Sequence, residues 1–197
     1  YAGGYDVQIA KKSADGLNRR LVIKQVDWDG LIPSVQNGLI DLIIAGMSPT
    51  DERKLDIDFT NAYYTSEHVV LISTTSAYAN VTSVSGFAGA TFIGQTGTLY
   101  ASIVAAMDSS VNKGVDKATV PEIVADIQAG IVDGTVLELP VATGLAAANS
   151  DLKIIQFAEG QGFTQLADTD EEGNSIIRDI VASDRDVAIG IAKNRTT

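Results

Sequence analysis

The chain has 197 residues, of which 45% are apolar, so it can bury a sizeable core as one large domain or two small ones. Its formal net charge of −11 argues against a nucleic-acid partner, because phosphate binding requires clustered Lys and Arg. The absence of cysteine excludes disulfide frameworks, thiolate nucleophiles and Cys-based metal sites. The apolar stretch 38–47 is far shorter than the roughly 20 residues of a membrane span, so no segment is expected to cross a bilayer.

The first predicted unit is a strand, a helix and a second strand. Residues 21–26 have a strand pattern, residues 29–36 are predicted to form a short helix, and residues 40–45 form an almost unbroken apolar run. Gly38 suits the left-handed position that commonly follows a helix. An unbroken apolar strand is typical of a parallel sheet that is covered on both faces.

Further elements are predicted along the rest of the chain. They are strands at 68–73, 90–93, 152–157 and 187–192, a helix at about 99–107, and a short helix around 175–181 within a polar surface excursion. The strands at 68–73 and 152–157 are interpreted as crossing from one lobe to another and back, which predicts a two-strand hinge.

An internal similarity supports two lobes. Residues 35–45 and 127–137, offset by 92 positions (127 − 35), share Gln, Gly and Asp at matching places. The alternative is that joints between a helix, a glycine and a strand look alike in many proteins. We predict an α/β fold of two similar lobes, each a small, mostly parallel sheet flanked by helices. The first lobe comprises residues 1–67 and 158–197, and the second comprises residues 68–157.

The alignment places Gly46 and Glu138 at matching positions after a strand, where open parallel sheets bind their ligands. Beyond Gly46, Ser48 is predicted to cap a helix that contains Arg53, whose guanidinium can present two parallel donors to a carboxylate. In the alternative interpretation, Arg53 pairs with a surface acid such as Asp51.

Three further positions are candidates for ligand binding. In the loop 94–98, Gly97 lets a ligand approach the backbone and Thr98 offers an N–H and a hydroxyl, although the pattern also fits a plain turn between strand and helix. Glu138 interrupts an apolar strand end and should face solvent or meet a cation. Trp28 can stack on a ligand or pack under the neighbouring helix. The single histidine, His68, is interpreted as structural, because no nucleophile is assignable to it.

In combination, these segments resemble the amino-acid-binding proteins of bacterial ABC importers, the family 3 solute-binding proteins. The resemblance covers residues 4 to about 160. It rests on residues 4–7 (GYDV), 27–33 (DWDGLIP), 38–53 (GLIDLIIAGMSPTDER), 57–59 (IDF), 63–64 (YY), 95–98 (QTGT) and 138–140 (ELP). It implies the type II periplasmic binding-protein fold, in which two hinged lobes close over an amino acid in the cleft.

The resemblance also implies a role for each site residue. Arg53 would hold the α-carboxylate with help from Ser48 and Thr98, and Glu138 with the Gly46 carbonyl would take the α-ammonium. Trp28 would stack against the ligand side chain, and Gln95 would bias specificity. The complete set of predicted ligand-binding residues is Trp28, Gly46, Met47, Ser48, Arg53, Gln95, Gly97, Thr98 and Glu138.

The implied function is capture of a free L-amino acid, polar or basic, and its delivery to a membrane-embedded ABC transporter permease. The resemblance implies a monomer without cofactor, metal or catalysis, located in the periplasm or anchored or fused at the outer face of the membrane. Family members usually open with a strand and an aromatic loop and end with a helix, and this chain is expected to lack them. Two alternatives stay open: a cyclohexadienyl (arogenate) dehydratase-like enzyme that uses Glu138 as an acid, and a ligand-sensing receptor domain.

Overall fold

The computed structural model describes residues 4–170 and 172–193. The described helices are α1 (Tyr5–Gly16), α2 (Leu31–Gln36), α3 (Asp51–Asp56), α4 (Leu99–Ala106), α5 (Val120–Gln128), α6 (Leu139–Ala148) and α7 (Ala182–Arg185). The strands are β1 (Leu42–Ile43), β2 (Ile57–Phe59), β3 (Tyr64–Thr65), β4 (His68–Ser73), β5 (Thr91–Phe92), β6 (Asn112–Lys113), β7 (Gly134–Glu138), β8 (Leu152–Ile155), β9 (Gln165–Thr169), β10 (Ser175–Asp179), β11 (Asp186–Val187) and β12 (Gly190–Ala192).

The chain divides into two compact units. The first holds the residues up to Thr65 and those from Ala182 onward, and the second is Ser66–Val181. Residues 158–181, which we predict from the sequence to be in the first lobe, lie in the second unit. The reason is packing, because β9 lies against α4 and Leu166 is buried in the second unit's core. The strands β4 and β8, predicted as crossings between lobes, are neighbours inside the second unit's sheet.

The first unit contains antiparallel strand pairs. β12 lies between β1 and β2, and β11 pairs with β3, so the returning chain joins both sheets. All strand pairs that the structure describes in this unit are antiparallel, where the sequence predicts mostly parallel ones. The reason is that β12 runs opposite to the two strands beside it. The core of the unit contains Val35, Ile43, Met47 and Ile57.

The strand predicted at residues 21–26 is wrong. These residues form no strand in the structure, and the side chains of Leu21, Val22 and Ile23 are 36%, 59% and 52% exposed. Strand preference mainly measures how well a side chain packs on a pleated, half-buried surface. These residues pair with no strand among those described, so their β-branched side chains do not make a strand by themselves.

The second unit is built on a five-stranded mixed sheet in the order β6-β5-β7-β4-β8. β5 is parallel to both β6 and β7, and β4 is antiparallel to β7 and β8. Successive residues of β4 face opposite sides of the sheet. Val70 and Ile72 therefore enter one core cluster, while Val69 and Leu71 enter another. This two-sided burial explains the unbroken apolar run in the sequence.

The internal similarity corresponds to the same local structure in both units. Gly38 after α2 and Gly130 after α5 both have φ 69°. The next residue donates to a carbonyl five positions back in each unit, from Leu39 N to Ser34 O at 2.9 Å and from Ile131 N to Asp126 O at 2.9 Å. Each joint then leads into β1 or β7. The repeated sequence thus forms the same connection from helix to strand in each unit.

The short helix predicted around residues 175–181 is also wrong, because Ser175–Asp179 is the strand β10. It pairs with β9 over five residues, and the Arg178 guanidinium bonds the Asp168 carboxylate across the pair. Asp170 closes the turn by accepting from Asn174 N at 2.8 Å, and the Asn174 donors hold the pKa of Asp170 below its ordinary value. Pairing with β9 therefore determines the conformation of residues 175–179.

Candidate ligand-binding site

The loop after β1 is buried and bonded to the returning chain. Gly46 has φ 68°, a left-handed conformation that glycine adopts without strain. Met47 and Ser48 are only 1% and 2% exposed. Ser48 Oγ donates to Asp184 O at 3.1 Å, and Ala188 N donates to Met47 O at 3.0 Å. Residues on the returning chain therefore fix the loop that the sequence places at the site.

The cap of α3 is Thr50, where the sequence predicts Ser48. Thr50 Oγ1 accepts from Arg53 N at 3.3 Å, and the helix begins at Asp51. Ser48 lies two residues before the cap, and its hydroxyl donates to Asp184 O. The backbone N–H of Arg53 donates to the cap residue Thr50, and α3 has only six residues. The predicted anion site at the start of this helix therefore has the Arg53 guanidinium as its main candidate donor.

Arg53 folds back from α3 toward the loop. Its Nη1 donates to Ser48 O at 3.1 Å, and its Cζ lies 5.4 Å from the centre of the Trp28 ring. Asp51, the acid considered as a partner in the alternative interpretation, bonds Lys54 Nζ at 3.0 Å. Trp28 begins a 3-10 turn and packs on the core of the unit. The Trp28 ring packs on the core, as the second interpretation predicts, and its contact with the Arg53 guanidinium is an intramolecular cation–π contact. Stacking of Trp28 on a ligand stays a prediction.

One residue of this region was given no role from the sequence. Tyr63 Oη donates to Asp6 Oδ1 at 2.9 Å. Burial, followed by the charge and hydrogen bond of Asp6, raises the pKa of Tyr63 well above its ordinary value. No spacing in the sequence relates residues 6 and 63. In the sequence, these residues stand out only because they belong to the quoted family motifs.

In the second unit, the loop before α4 is held by its own chain. Thr98 caps α4 by accepting from Tyr100 N at 3.2 Å and donates its hydroxyl to Gln95 O at 2.7 Å. Gly97 has φ 72°, which agrees with the need for glycine there. Gln95 Nε2 donates to Ala118 O at 3.0 Å, so its amide N–H₂ already has a bond within the protein.

Glu138 lies at the end of β7 and is 4% exposed. It sits opposite His68 in the antiparallel pair of β7 with β4. Charge interactions are stronger at a buried position of low dielectric constant, so Glu138 is a candidate for binding a cationic group. The loop 94–98 follows β5, which is parallel to β7, so the loop and Glu138 emerge at the same edge of the sheet.

The predicted site residues thus form two groups. The first half-site, in the first unit, comprises Trp28, Gly46, Met47, Ser48 and Arg53. The second half-site, in the second unit, comprises Gln95, Gly97, Thr98 and Glu138. Within residues 4–170 and 172–193, His, Asp and Glu side chains nowhere gather in groups of three or more that could hold a metal ion. None of the helices in this part of the chain combines the length and apolar character that a bilayer crossing requires.

Several known proteins are similar to this chain in sequence and in fold. The arginine-binding extracellular protein ArtP of Bacillus subtilis (strain 168) is 28% identical over 151 residues, which are 76% of this chain and 58% of that protein. The solved substrate-binding protein of an amino acid ABC transporter superposes with a TM-score of 0.75 at 30% identity, covering 98% of this chain and 75% of the other. A third similar protein is AbpA of Streptococcus pneumoniae Canada MDR_19A, an amino acid ABC transporter substrate-binding protein that was solved bound to L-arginine. It superposes with a TM-score of 0.76 at 25% identity, covering 96% of this chain and 70% of the AbpA chain.

These superpositions confirm the predicted type II binding-protein fold. The chain spans 58% of the length of ArtP. Residues 2–185 match the sequence profile of the bacterial extracellular solute-binding proteins, family 3. The chain therefore belongs to the family 3 bacterial extracellular solute-binding proteins.

Proposed function

We propose that the chain is the binding component of an amino acid ABC importer, and that L-arginine is the first ligand to test. In this proposal it works outside the cytoplasm, performs no catalysis and passes the amino acid to a transporter permease. The observation that carries the proposal is the Arg53 guanidinium, which folds back to the buried loop after β1 in a chain of this family. The arginine-binding name of ArtP and the arginine bound to AbpA support the choice of ligand.

Each half-site supplies one charge that a zwitterionic amino acid needs. Arg53 can bond an α-carboxylate through two parallel N–H groups, with Ser48 beside it. The buried Glu138 carboxylate is suited to the α-ammonium group. We propose that these two charges match the two poles of one amino acid.

The energies are sufficient for a transport receptor. Micromolar affinity corresponds to about 8 kcal/mol. Charge-assisted hydrogen bonds contribute about 1.5–3 kcal/mol each. Four such bonds, two at each pole of the ligand, therefore supply about 6–12 kcal/mol before ordering costs are subtracted. Contact of a cationic ligand side chain with the Trp28 ring would add to this energy, as the contact of the Arg53 guanidinium with the same ring illustrates.

The test is thermal unfolding of the purified chain against each of the common amino acids. A ligand that binds only the native state raises its stability by about 2.7 kcal/mol at a concentration of 100 Kd. We expect a concentration-dependent rise in Tm with L-arginine or another polar amino acid. Agmatine, which lacks the α-carboxylate of arginine, is the matched control and should shift Tm far less. A flat response to every amino acid would contradict the proposed function.

A further inference from the structure

The loop 94–98 of the second half-site is paired with the segment 116–118, which lies between β6 and α5. Thr96 N donates to Lys117 O at 2.9 Å, and Lys117 N donates to Gly94 O at 3.1 Å. The two segments also form an isolated parallel bridge. The loop therefore continues the parallel pairing of β5 with β6 beyond the ends of these strands.

A side chain of the same segment holds the first residue of the loop. Asp116 Oδ1 accepts from Gly94 N at 2.6 Å. A hydrogen bond to a carboxylate is roughly twice as strong as one between neutral groups. A Cβ at Gly94 would collide with the Ala101 backbone, so the Gly94 backbone lies directly against α4. Asp116 therefore fixes the loop where its backbone meets the helix that follows.

The effect of these bonds reaches the predicted ligand groups. Gln95 lies between the two loop residues that the segment 116–118 bonds, and its Nε2 donates to Ala118 O at 3.0 Å. Thr98 Oγ1 in turn donates to Gln95 O at 2.7 Å. The position of the Thr98 hydroxyl therefore depends on a backbone that the segment 116–118 holds.

The segment is itself anchored to α5. Lys117 Nζ pairs with Asp126 Oδ2 at 3.0 Å. Glu122, in the first turn of α5, accepts from Thr119 N through its Oε2 at 2.9 Å. The helix buries Ile123 in the core of the second unit. The segment therefore connects the ligand loop to a helix of the core.

We propose that Asp116 is a positioning residue for amino acid binding, which holds the loop 94–98 in its binding geometry before the ligand arrives. The inference rests on the proposed function of the second half-site. Asp116 acts through the Gly94 backbone and need not touch the ligand. Because the loop is ordered in advance, the ligand is spared the entropy cost of fixing it.

The test compares Asp116→Ala with Asp133→Ala in the full chain. Asp133→Ala is the matched control, because Asp133 Oδ2 accepts from Thr91 N at 2.8 Å, a bond of the same kind at the start of β5. Both variants should lower the urea midpoint of unfolding. We expect calorimetry to show L-arginine affinity lowered about 5- to 30-fold by Asp116→Ala, which corresponds to the cost of ordering about one residue, and less than about twofold by Asp133→Ala.

A second measurement is made without ligand, so that the inference can be judged apart from the proposed function. Hydrogen exchange at the Gly94 amide should accelerate about 10-fold or more in Asp116→Ala, whereas Asp133→Ala should accelerate exchange at Thr91 and leave Gly94 unchanged. Asp116→Asn keeps an acceptor oxygen without the charge and should give an intermediate rate. It also replaces Asp116→Ala if that variant does not fold.

Three results would overturn the inference. They are unchanged Gly94 exchange in the folded Asp116 variants, wild-type arginine affinity in Asp116→Ala, and an equal loss of affinity in Asp133→Ala, which would make the effect one of general destabilisation. If the wild-type protein binds no amino acid, the proposed function fails, while the exchange rates still decide whether Asp116 orders the loop.

Discussion

Replacing Arg53 with alanine should lower the affinity for L-arginine more than it lowers the stability of the fold. In the ligand-free protein, Arg53→Ala removes the bond to Ser48 O at 3.1 Å and the contact with the Trp28 ring at 5.4 Å. The first, a hydrogen bond from a charged group, contributes about 1.5–3 kcal/mol to stability and the second, at a partly exposed site, about 0.5–1 kcal/mol. The expected loss in the free energy of unfolding is therefore about 2–4 kcal/mol. A folded protein should survive that loss.

The expected loss of binding is larger. A carboxylate held by two charge-assisted bonds gains about 3–6 kcal/mol from the guanidinium. Because each 1.4 kcal/mol is about tenfold in affinity, Arg53→Ala should weaken L-arginine binding about 10²- to 10⁴-fold. Arg53→Lys should recover only part of this loss, because an ammonium keeps the charge without the two parallel donors.

Calorimetric titration with L-arginine, paired with urea unfolding, measures both quantities on the same samples. Lys54→Ala is the matched control, because Lys54 is the next residue of α3 and pairs with the exposed Asp51. It should change neither quantity by more than about 0.5 kcal/mol. Arginine affinity of Arg53→Ala within fivefold of the wild type would refute the assignment of Arg53 to the carboxylate.

Three further predictions concern other parts of the chain. Glu138→Gln should weaken L-arginine binding more than binding of its deaminated analogue, measured by calorimetry; equal weakening would place the ammonium elsewhere. Gly94→Ala should cost about 1–3 kcal/mol in urea unfolding, because a Cβ there would lie 2.4 Å from Ala101 Cα, whereas Gly144→Ala in open space within α6 should be neutral or stabilising. Burial and the nearby carboxylate raise the pKa of Tyr63. The protonated phenol therefore contributes to stability in full below the ordinary phenol pKa of about 10, and this contribution is lost as the pH rises further. Stability of the wild type should then fall more steeply above pH 10 than that of Tyr63→Phe, and equal slopes would contradict this.

Local patterns in the sequence identified the joints that position the site. Gly38 has the positive φ that its place after a helix predicted, and Gly46 and Gly97 also have positive φ values. The strand at 68–73 and the helix beginning at Leu99 are confirmed at those residues. These features depend on steric limits within a few residues, which is why the sequence alone could predict them.

Patterns that depend on a neighbour were predicted less well. Residues 21–26 have the stronger apolar pattern, yet only residues 175–179 form a strand, because β9 lies beside them. Likewise, the sequence predicts Ser48 as the cap of α3, whereas the helix begins at Asp51 with Thr50 as its cap and Ser48 Oγ bonds Asp184 O, 136 residues away. In both cases the outcome depends on contacts outside the segment itself.

The sequence by itself determined the family motifs, the left-handed Gly38 and the helix-to-strand joint that occurs twice. Only the tertiary structure assigned residues 158–181 to the second unit and brought Tyr63 to Asp6. The physical reason is the range of the interactions. Backbone conformation is limited by neighbours along the chain, whereas hydrogen bonds and buried contacts between distant residues exist only after the chain has packed.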